Sequence, residues 1–509
     1  MDKSVNPGGL LAAIDMGSNS FRLEVGQMHQ GQYRRSKYIK ETVRLGAGLD
    51  AHGQLTEEAM QRGMDCLRRF AAHMNGLAAT QVRAVATQTL REARNRNAFL
   101  LRGQEALGYP IEVISGREEA RLIYAGVEHL QPGSADGQTR LVVDIGGRST
   151  EMILGQGKHA LVTESFAVGC VSLSMRFFTD GLLTRSGFRA AQVAAGAELE
   201  EALQVFAPSR WQQALGSSGT AGAVSQLLQA SGITDGRITP AALRWCIKRC
   251  IDAGHIDALK LPGLKADRRA VLPGGLAILY TLATHFGIAE LQPAKGALRQ
   301  GVIVDLQRRL MSTQAQHGGD VRDASVADLQ RRFAADTEQA QRVTSMAFAL
   351  FDAALPNADS ETRSELRWAC ALHEAGLMVS HHDHHRHSAY LAAHADMAGF
   401  SQNQQRRVAD LVLAQRGGLR KVEAQLAQQN FAWQVLALRL AVIKCHARAE
   451  VNTRALRLAA AGAEAHLSYS ARWREQHPRT LYLLAEEAAT WERSGPLRLV
   501  MPAPGVDAA

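Results

Sequence analysis

Cysteine is scarce and scattered. The six cysteines of this 509-residue chain form no Cys-x-x-Cys pair. Cys246 and Cys250 stand one helical turn apart, without the further ligands that a zinc site needs. A disulfide scaffold and a structural zinc cluster are both argued against, and the thiols read as reduced, in a cytoplasmic protein. Also missing is any run of about 18 apolar residues, so no membrane-spanning helix is expected. The start of the chain holds one lysine, then Asn6-Pro7-Gly8-Gly9, and runs into an apolar stretch ending at Asp15. No apolar core of a secretory signal fits there.

What is present describes a globular protein with a basic surplus. Hydrophobic residues make up 46% and charged residues 21%, and 58 Lys+Arg against 49 Asp+Glu leave a formal charge of +9. Length alone favours roughly three to four domains. The positive excess favours an anionic partner: nucleic acid, anionic lipid or a phosphate-rich substrate.

The most informative feature is a repeat. Leu11–Gln27 (LAAIDMGSNSFRLEVGQ) returns as Leu141–Gln156 (LVVDIGGRSTEMILGQ). Each copy ends an apolar run in Asp, then places Gly two residues on and Ser five on. Each continues into a second apolar run that closes on Gly-Gln. A strand, a tight polar turn and a returning strand, written twice, predict two related half-domains facing each other across a cleft. In the first turn Gly17, Ser18, Asn19 and Ser20 offer backbone N–H groups and short polar side chains, with Arg22 just beyond. In the second, Gly146, Gly147, Ser149 and Thr150 do the same. A third Gly/hydroxyl turn, Gly216-Ser217-Ser218-Gly219-Thr220, follows an apolar pair. Such turns cradle anions, and three of them point to phosphate.

Around these turns the chain alternates strands and helices. Tyr33–Leu45 reads as a basic strand, Thr56 caps a helix, and Val82–Thr87 and Ile111–Ile114 read as strands. Ser115 caps a helix that opens with Glu118-Glu119. Gln131–Gln138 (QPGSADGQ) marks a boundary. Beyond Met311 a polar linker, Ser312–Asp320, leads into helix upon helix to about Arg493, and the last residues from Pro502 look frayed. The expected plan is an α/β domain over 1–132, a second over 133–311 whose last helix can pack back on the first, and an all-helical region over 312–509. A small terminal subdomain is allowed for in the last.

Hydrolysing a phosphate anhydride needs a metal to neutralise charge and a carboxylate to activate water. Asp144 ends its strand beside a phosphate turn, and Glu151 lies in the returning strand, close enough across the hairpin to share a metal. One of Glu118 and Glu119 is the candidate general base.

These residues resemble one family. Asp15-Met-Gly-Ser-Asn-Ser-Phe-Arg22, Val85-Ala-Thr-Gln-Thr-Leu-Arg91, Ser115-Gly-Arg-Glu-Glu-Ala-Arg121, Asp144-Ile-Gly-Gly-Arg-Ser-Thr-Glu151 and Gly216–Thr220, in this order, are similar to the exopolyphosphatase / guanosine pentaphosphate phosphohydrolase family. The resemblance spans nearly the whole chain. It implies two actin-like domains of the sugar-kinase/Hsp70/actin, ribonuclease H-like fold, then a helical HD-like region. It also implies Glu119 as the base, Arg91 beside the scissile phosphate, and Asp144 and Glu151 as ligands of Mg²⁺, with Mn²⁺ as an alternative. The expected activity is release of terminal orthophosphate from inorganic polyphosphate by a cytoplasmic homodimer, with no specific nucleic acid. Guanosine pentaphosphate hydrolysis is the nearest alternative. A sugar-kinase- or Hsp70-like ATPase would use the same two turns but lack the Ser-Gly-x-Glu-Glu-Ala-Arg helix start, and a non-catalytic polyphosphate binder is the remaining class. One departure stands out: the family's third glycine in the second turn is Arg148 here, which would crowd the loop or add a cation beside the phosphates.

The C-terminal half holds a competing pattern. His373-Glu374 stands at the position of a metal-phosphohydrolase His-Asp dyad, followed by His381-His382-Asp383-His384-His385-Arg386-His387. No downstream acidic ligand is obvious, and the run reads as a histidine-rich loop on a helical scaffold. Arg331-Arg332, Arg406-Arg407, Arg420-Lys421, Arg454 and Arg457, expected on helices, form a candidate path for a long polyanion.

Overall fold

A computed structural model describes residues 9–29, 32–132, 137–315 and 320–502. The chain divides into two compact units, Met1–Gly319 and Asp320–Ala509.

The first unit carries the repeat as two five-stranded sheets. The first is built from β1 (Leu11–Met16), β2 (Phe21–His29), β3 (Gln32–Glu41), β4 (Val82–Ala86) and β5 (Ile111–Val113). The second is built from β6 (Thr139–Ile145), β7 (Thr150–Gln156), β8 (His159–Phe166), β9 (Gln213–Ser217) and β10 (Gln292–Pro293). Strand order is β3-β2-β1-β4-β5 in one and β8-β7-β6-β9-β10 in the other. In each, two hairpin-linked antiparallel pairs are followed by two parallel ones. The duplicated α/β fold is the one the repeat implied.

The central strands owe their place to composition. All six residues of β1 are buried, which is how a strand covered on both faces reads. The repeated Gly-Gln pair also acquires a meaning. The ladder of β2 with β3 shifts register between Val25 and Gly26, and that of β7 with β8 between Leu154 and Gly155. Both are β-bulges. At each, an aromatic ring covers the missing side chain: a Cβ on Gly26 would lie 2.6 Å from the Tyr33 ring, and one on Gly155 2.0 Å from that of Tyr124.

The helix Gly116–Leu130 begins as expected, with the Ser115 hydroxyl accepting from the Glu118 N–H at 3.1 Å. The last helix of the unit, Leu298–Ala315, packs against it so closely that a Cβ on Gly301 would stand 1.7 Å from the Leu122 carbonyl oxygen. A buried ion network fixes the pair. Asp305 accepts from Arg83 and Arg121, each at 2.7 Å, and from Arg309 at 2.8 Å, while Arg121 also holds Glu118 at 2.7 Å. Removing one partner from such a network would leave a buried charge unpaired, the costly case. The register of the helix that presents Glu119 is therefore set from behind. The same final helix runs to Ala315, through the start of the stretch read as a polar linker. Ser, Thr, Gln and Ala continue a helix once its preceding turns are packed. Parts of the two expected boundary stretches (133–136 and 316–319) and of the frayed end (503–509) lie outside the described residues.

The second unit is helical around a core that includes Trp368, Trp433 and Trp491. It adds a small three-stranded sheet: β11 (Arg457–Ala461), β12 (Glu464–Ser468) and β13 (Arg498–Val500), with β12 central. Arg457 thus lies on a strand and Arg454 in the turn before it, not on helices. No helix among the described residues is long and apolar enough to cross a membrane.

Candidate active site

The two sheets of the first unit face each other across a cleft of about 510 Å³. The three predicted turns converge there. Gly17, Ser18, Asn19, Ser20 and Arg22 line it from the first sheet, Gly146, Gly147 and Ser149 from the second, and Ser218, Gly219 and Thr220 from the start of the helix Ser218–Ala230. Backbone geometry at the third turn is strained: Ser218 has a φ of 69°, in the left-handed region. A residue with a Cβ held there costs about 1–3 kcal/mol, a sign of a site whose shape is imposed. The hydroxyls of Ser218 and Thr220 both donate to the Ile145 carbonyl, at 3.0 and 2.9 Å, tying this turn to the second. The Ser20 hydroxyl is buried and has no partner, as expected of a donor reserved for a ligand.

The carboxylates occupy the floor. Asp15 pairs across its hairpin with Arg22, and Asp144 pairs across the equivalent hairpin with Glu151. Residues opposite one another in a ladder share a face, so one position carries opposite charges and the other like charges. Asp15 is held by Arg22 at 2.9 Å, with Arg299 3.6 Å away. Asp144 lines the cleft, while Glu151 is buried behind it and accepts from Ser165 Oγ at 2.8 Å. Glu119 also lines the cleft and accepts from Arg91 Nη1 at 2.8 Å. Arg91 itself is not on the lining; it donates further to the Ile114 carbonyl and to Gln88. Burial pushes the Glu119 carboxyl up to about 7 in spite of Arg91, with Asp15 and Asp144 adding to the rise. Burial also raises Glu151 well above the usual range, reinforced by Glu119 and Asp144, and raises Asp144. Such shifts cluster where charge is handled chemically.

Ionised, these carboxylates demand a cation. Among the described residues no three His, Cys, Asp or Glu side chains converge on one metal position. The donor set nonetheless fits Mg²⁺, a hard ion that takes one or two carboxylates and completes its shell with water and substrate phosphate oxygens.

Three residues named from the sequence turn elsewhere. Thr150 donates to the Val168 carbonyl and Ser217 to the Gly296 carbonyl. Arg148 neither crowds its loop nor enters the cleft. It reaches to the opposite lobe, donating to Glu92 at 2.7 and 3.0 Å and to the Gly46 carbonyl. Lys40–Asp267 at 3.1 Å and Arg117–Glu164 at 2.8 Å also join the lobes. Partly exposed pairs are each worth about 1 kcal/mol or less. Arg148→Gln is therefore expected to change KM for a phosphate substrate less than about threefold and stability by under about 1 kcal/mol. Steady-state kinetics and a melt would check both, and a KM rise of the size given by Arg22→Gln would place Arg148 on the substrate.

Sequence reasoning missed most of the cleft's positive charge. Arg35, Lys40, Lys265, Arg268, Lys295 and Arg299 line it beside Arg22. The bulge explains Arg35. Lys37 pairs with Val25 and Arg35 with Gly26, leaving Ser36 unpaired. The extra residue brings Arg35 to the face of Tyr38 and Lys40, where strict alternation would have sent it away. The Arg35 and Arg299 guanidiniums both lie over the Tyr38 ring, 5.5 and 5.1 Å from its centre.

In the second unit, among the described residues, no three His, Cys, Asp or Glu side chains gather at the dyad position. His373 is buried, with Nδ1 2.7 Å from the Cys370 carbonyl. Glu374 is held by Arg448 at 2.8 Å. Several expected path cations are paired locally, Arg331 with Asp328 and Arg407 with Glu365.

Residues 30–310 match the Ppx/GppA phosphatase family, and residues 321–488 match domain III of the Ppx/GppA phosphatases. Among solved structures, the chain is similar to an exopolyphosphatase-like protein at 24% identity, over 60% of this chain and 100% of that one, with a TM-score of 0.53. It is similar to an exopolyphosphatase from Cytophaga hutchinsonii at 23% identity, over 59% of this chain and 98% of that one, also with a TM-score of 0.53. At these identities the likeness is one of fold.

Proposed function

The chain belongs to the Ppx/GppA phosphatase family, and from that premise we propose that it is an exopolyphosphatase, releasing terminal orthophosphate from inorganic polyphosphate. The observation that carries this reading is a cleft with Glu119 and Asp144 on its floor and cations along its walls, Arg22, Arg35, Lys40, Lys265, Arg268, Lys295 and Arg299. A compact monophosphate needs only part of that set. A chain with a negative charge on every unit uses all of it.

In this reading the turns at 17–20 and 146–149 donate N–H and O–H groups to the terminal phosphoryl oxygens, and the turn at 218–220, whose hydroxyls hold the Ile145 carbonyl, donates backbone N–H groups. Their donors are already in place, so stabilising the charge that builds in the transition state costs no reorganisation. Glu119 accepts a proton from the attacking water, and Arg91 orients that carboxylate through their shared hydrogen bond. Asp144, with Glu151 behind it, would hold Mg²⁺, which when bound neutralises phosphate charge. The expected homodimer is part of the proposal and has no role in these steps.

Guanosine pentaphosphate is the second reading, and Tyr38 favours it: the ring lines the cleft, is 41% exposed and could stack on a purine. Phosphate release from long-chain polyphosphate and from guanosine pentaphosphate, both with Mg²⁺, separates the two. The expected kcat/KM is at least about tenfold higher for polyphosphate, and its affinity falls about tenfold or more as ionic strength rises from about 0.05 to 0.5 M. A preference for the nucleotide, or binding indifferent to salt, would reverse the assignment.

A further inference from the structure

One side chain of the second phosphate turn is linked to Glu119 without lining the cleft. Arg148 donates from Nε and Nη2 to a single oxygen of Glu92, at 3.0 and 2.7 Å, across to the first lobe. Its stem is seated as well. A Cβ on Gly46 would lie 2.9 Å from Arg148 Cδ, and Nη1 donates to the Gly46 carbonyl at 3.3 Å. Glu92 is the last residue of the short helix Gln88–Glu92, which follows β4. Positions three and four apart on a helix share a face, so Gln88, Arg91 and Glu92 stand side by side.

Their hydrogen bonds form one continuous relay. The second oxygen of Glu92 accepts from Gln88 Nε2 at 2.6 Å. Gln88 Oε1 accepts from Arg91 Nε and Nη2, at 2.9 and 2.6 Å. Arg91 Nη1 then donates to Glu119 at 2.8 Å and to the Ile114 carbonyl at 3.0 Å. The same helix is tied to the first phosphate turn, where Thr89 Oγ1 donates to Ser18 Oγ at 2.8 Å.

The polarity of the relay is fixed by its chemistry. A carboxylate can only accept and a guanidinium can only donate, so the amide between them has one permitted orientation. Its NH₂ faces Glu92 and its oxygen faces Arg91. A carboxylate at position 88 would meet Glu92 with like charge, and an ammonium there would meet Arg91 in the same way. With Arg148 in place both oxygens of Glu92 are engaged. The stability at stake is small, because a partly exposed pair contributes about 1 kcal/mol or less. What the relay supplies is geometry at its inner end. Arg91 cannot turn away from Gln88 without moving the hydrogen bond that aims the Glu119 carboxylate.

We propose that Arg148 is a positioning residue for the base: through Glu92, Gln88 and Arg91 it makes the placement of Glu119 depend on the second lobe. Its role rests on Glu119 acting as the base, the reading given above.

The relay is read in phosphate release with Mg²⁺, from whichever of long-chain polyphosphate and guanosine pentaphosphate is hydrolysed faster. Arg148→Gln should lower kcat about tenfold, within the roughly 10²-fold that a misplacement of about 1 Å can cost. KM should move less than about threefold. Glu92→Gln breaks the relay from the other side of the pair. One amide oxygen cannot accept from both Arg148 and Gln88, so kcat should fall by a similar factor. The two losses should not multiply, and the double variant should lie within about twofold of either single one. Nor should Arg148→Gln lower kcat further in a Glu119→Gln background, where no base is left to place. An unchanged kcat in both Arg148→Gln and Glu92→Gln, or a loss that multiplies with that of Glu119→Gln, makes the pair a structural contact between lobes and overturns the relay alone. Full activity of Glu119→Gln overturns the base, and the relay with it.

Discussion

Glu119→Gln is expected to lower kcat for phosphate release by roughly 10²–10⁴-fold, the range that general-base catalysis supplies. The amide keeps the shape of the side chain and can still accept the Arg91 hydrogen bond, so the loop at Ile114 should stay in place and KM should move little. What is lost is the ability to take a proton. The wild-type pH profile carries the same signature. A base works only when deprotonated, and burial has raised this carboxyl to about 7. The kcat/KM of the free enzyme should therefore climb between about pH 6 and 8 and level off above. In Glu119→Gln that limb should disappear along with most of the rate. Because Glu119 and Glu151 repel one another, the midpoint belongs to the pair. A variant with full activity, or a profile unchanged by the substitution, would remove Glu119 from the reaction.

Legibility from sequence followed the range of the interactions involved. The doubled fold was readable because each copy is continuous: apolar run, Asp, Gly turn, apolar run. Within such a hairpin, local spacing predicts the partners, and Asp15–Arg22 and Asp144–Glu151 face one another in the ladders as the spacing implied. The Ser115 cap is equally local. Arg148 was not readable, because its partner Glu92 lies on the other lobe and nothing in either segment announces the pairing. The basic lining was hidden for two reasons. A bulge at Ser36 changes which residues of β3 share a face, and Lys265, Arg268, Lys295 and Arg299 come together only once the second lobe has folded. The small sheet in the helical unit was missed because β11, three of whose five residues are Ala, carries little strand propensity. Its stability comes from pairing with β12 and packing of Leu458 and Leu467 into the core.

The unequal hairpins carry the last prediction. In the first, the Asp15 charge is met by Arg22 and Arg299. In the second, Asp144 faces Glu151, and Glu119 adds a third buried carboxyl. An acid whose pKa is raised by folding binds its proton more tightly in the native state. Its stabilising contribution is whole below the ordinary Glu value and is lost as pH rises through the folded value. For Glu119 that window runs from 4.5 to about 7, a loss of up to roughly 3 kcal/mol before any relaxation. Glu151→Gln removes one of the repelling charges while its amide oxygen can still accept from Ser165. Without divalent cation at about pH 8, the variant should melt a few degrees above wild type, about 2–4 °C per kcal/mol gained. At about pH 5, below the value to which Glu119 is raised, the difference should narrow. Mg²⁺ should raise the wild-type melting temperature more than that of the variant, since a cation relieves the same repulsion, while the variant loses activity. If Glu151→Gln melts below wild type at about pH 8, the crowding is structural support and not a charge held in readiness for a cation. The opposite result makes this hairpin a place where stability is given up so that a metal-bound phosphate is preferred.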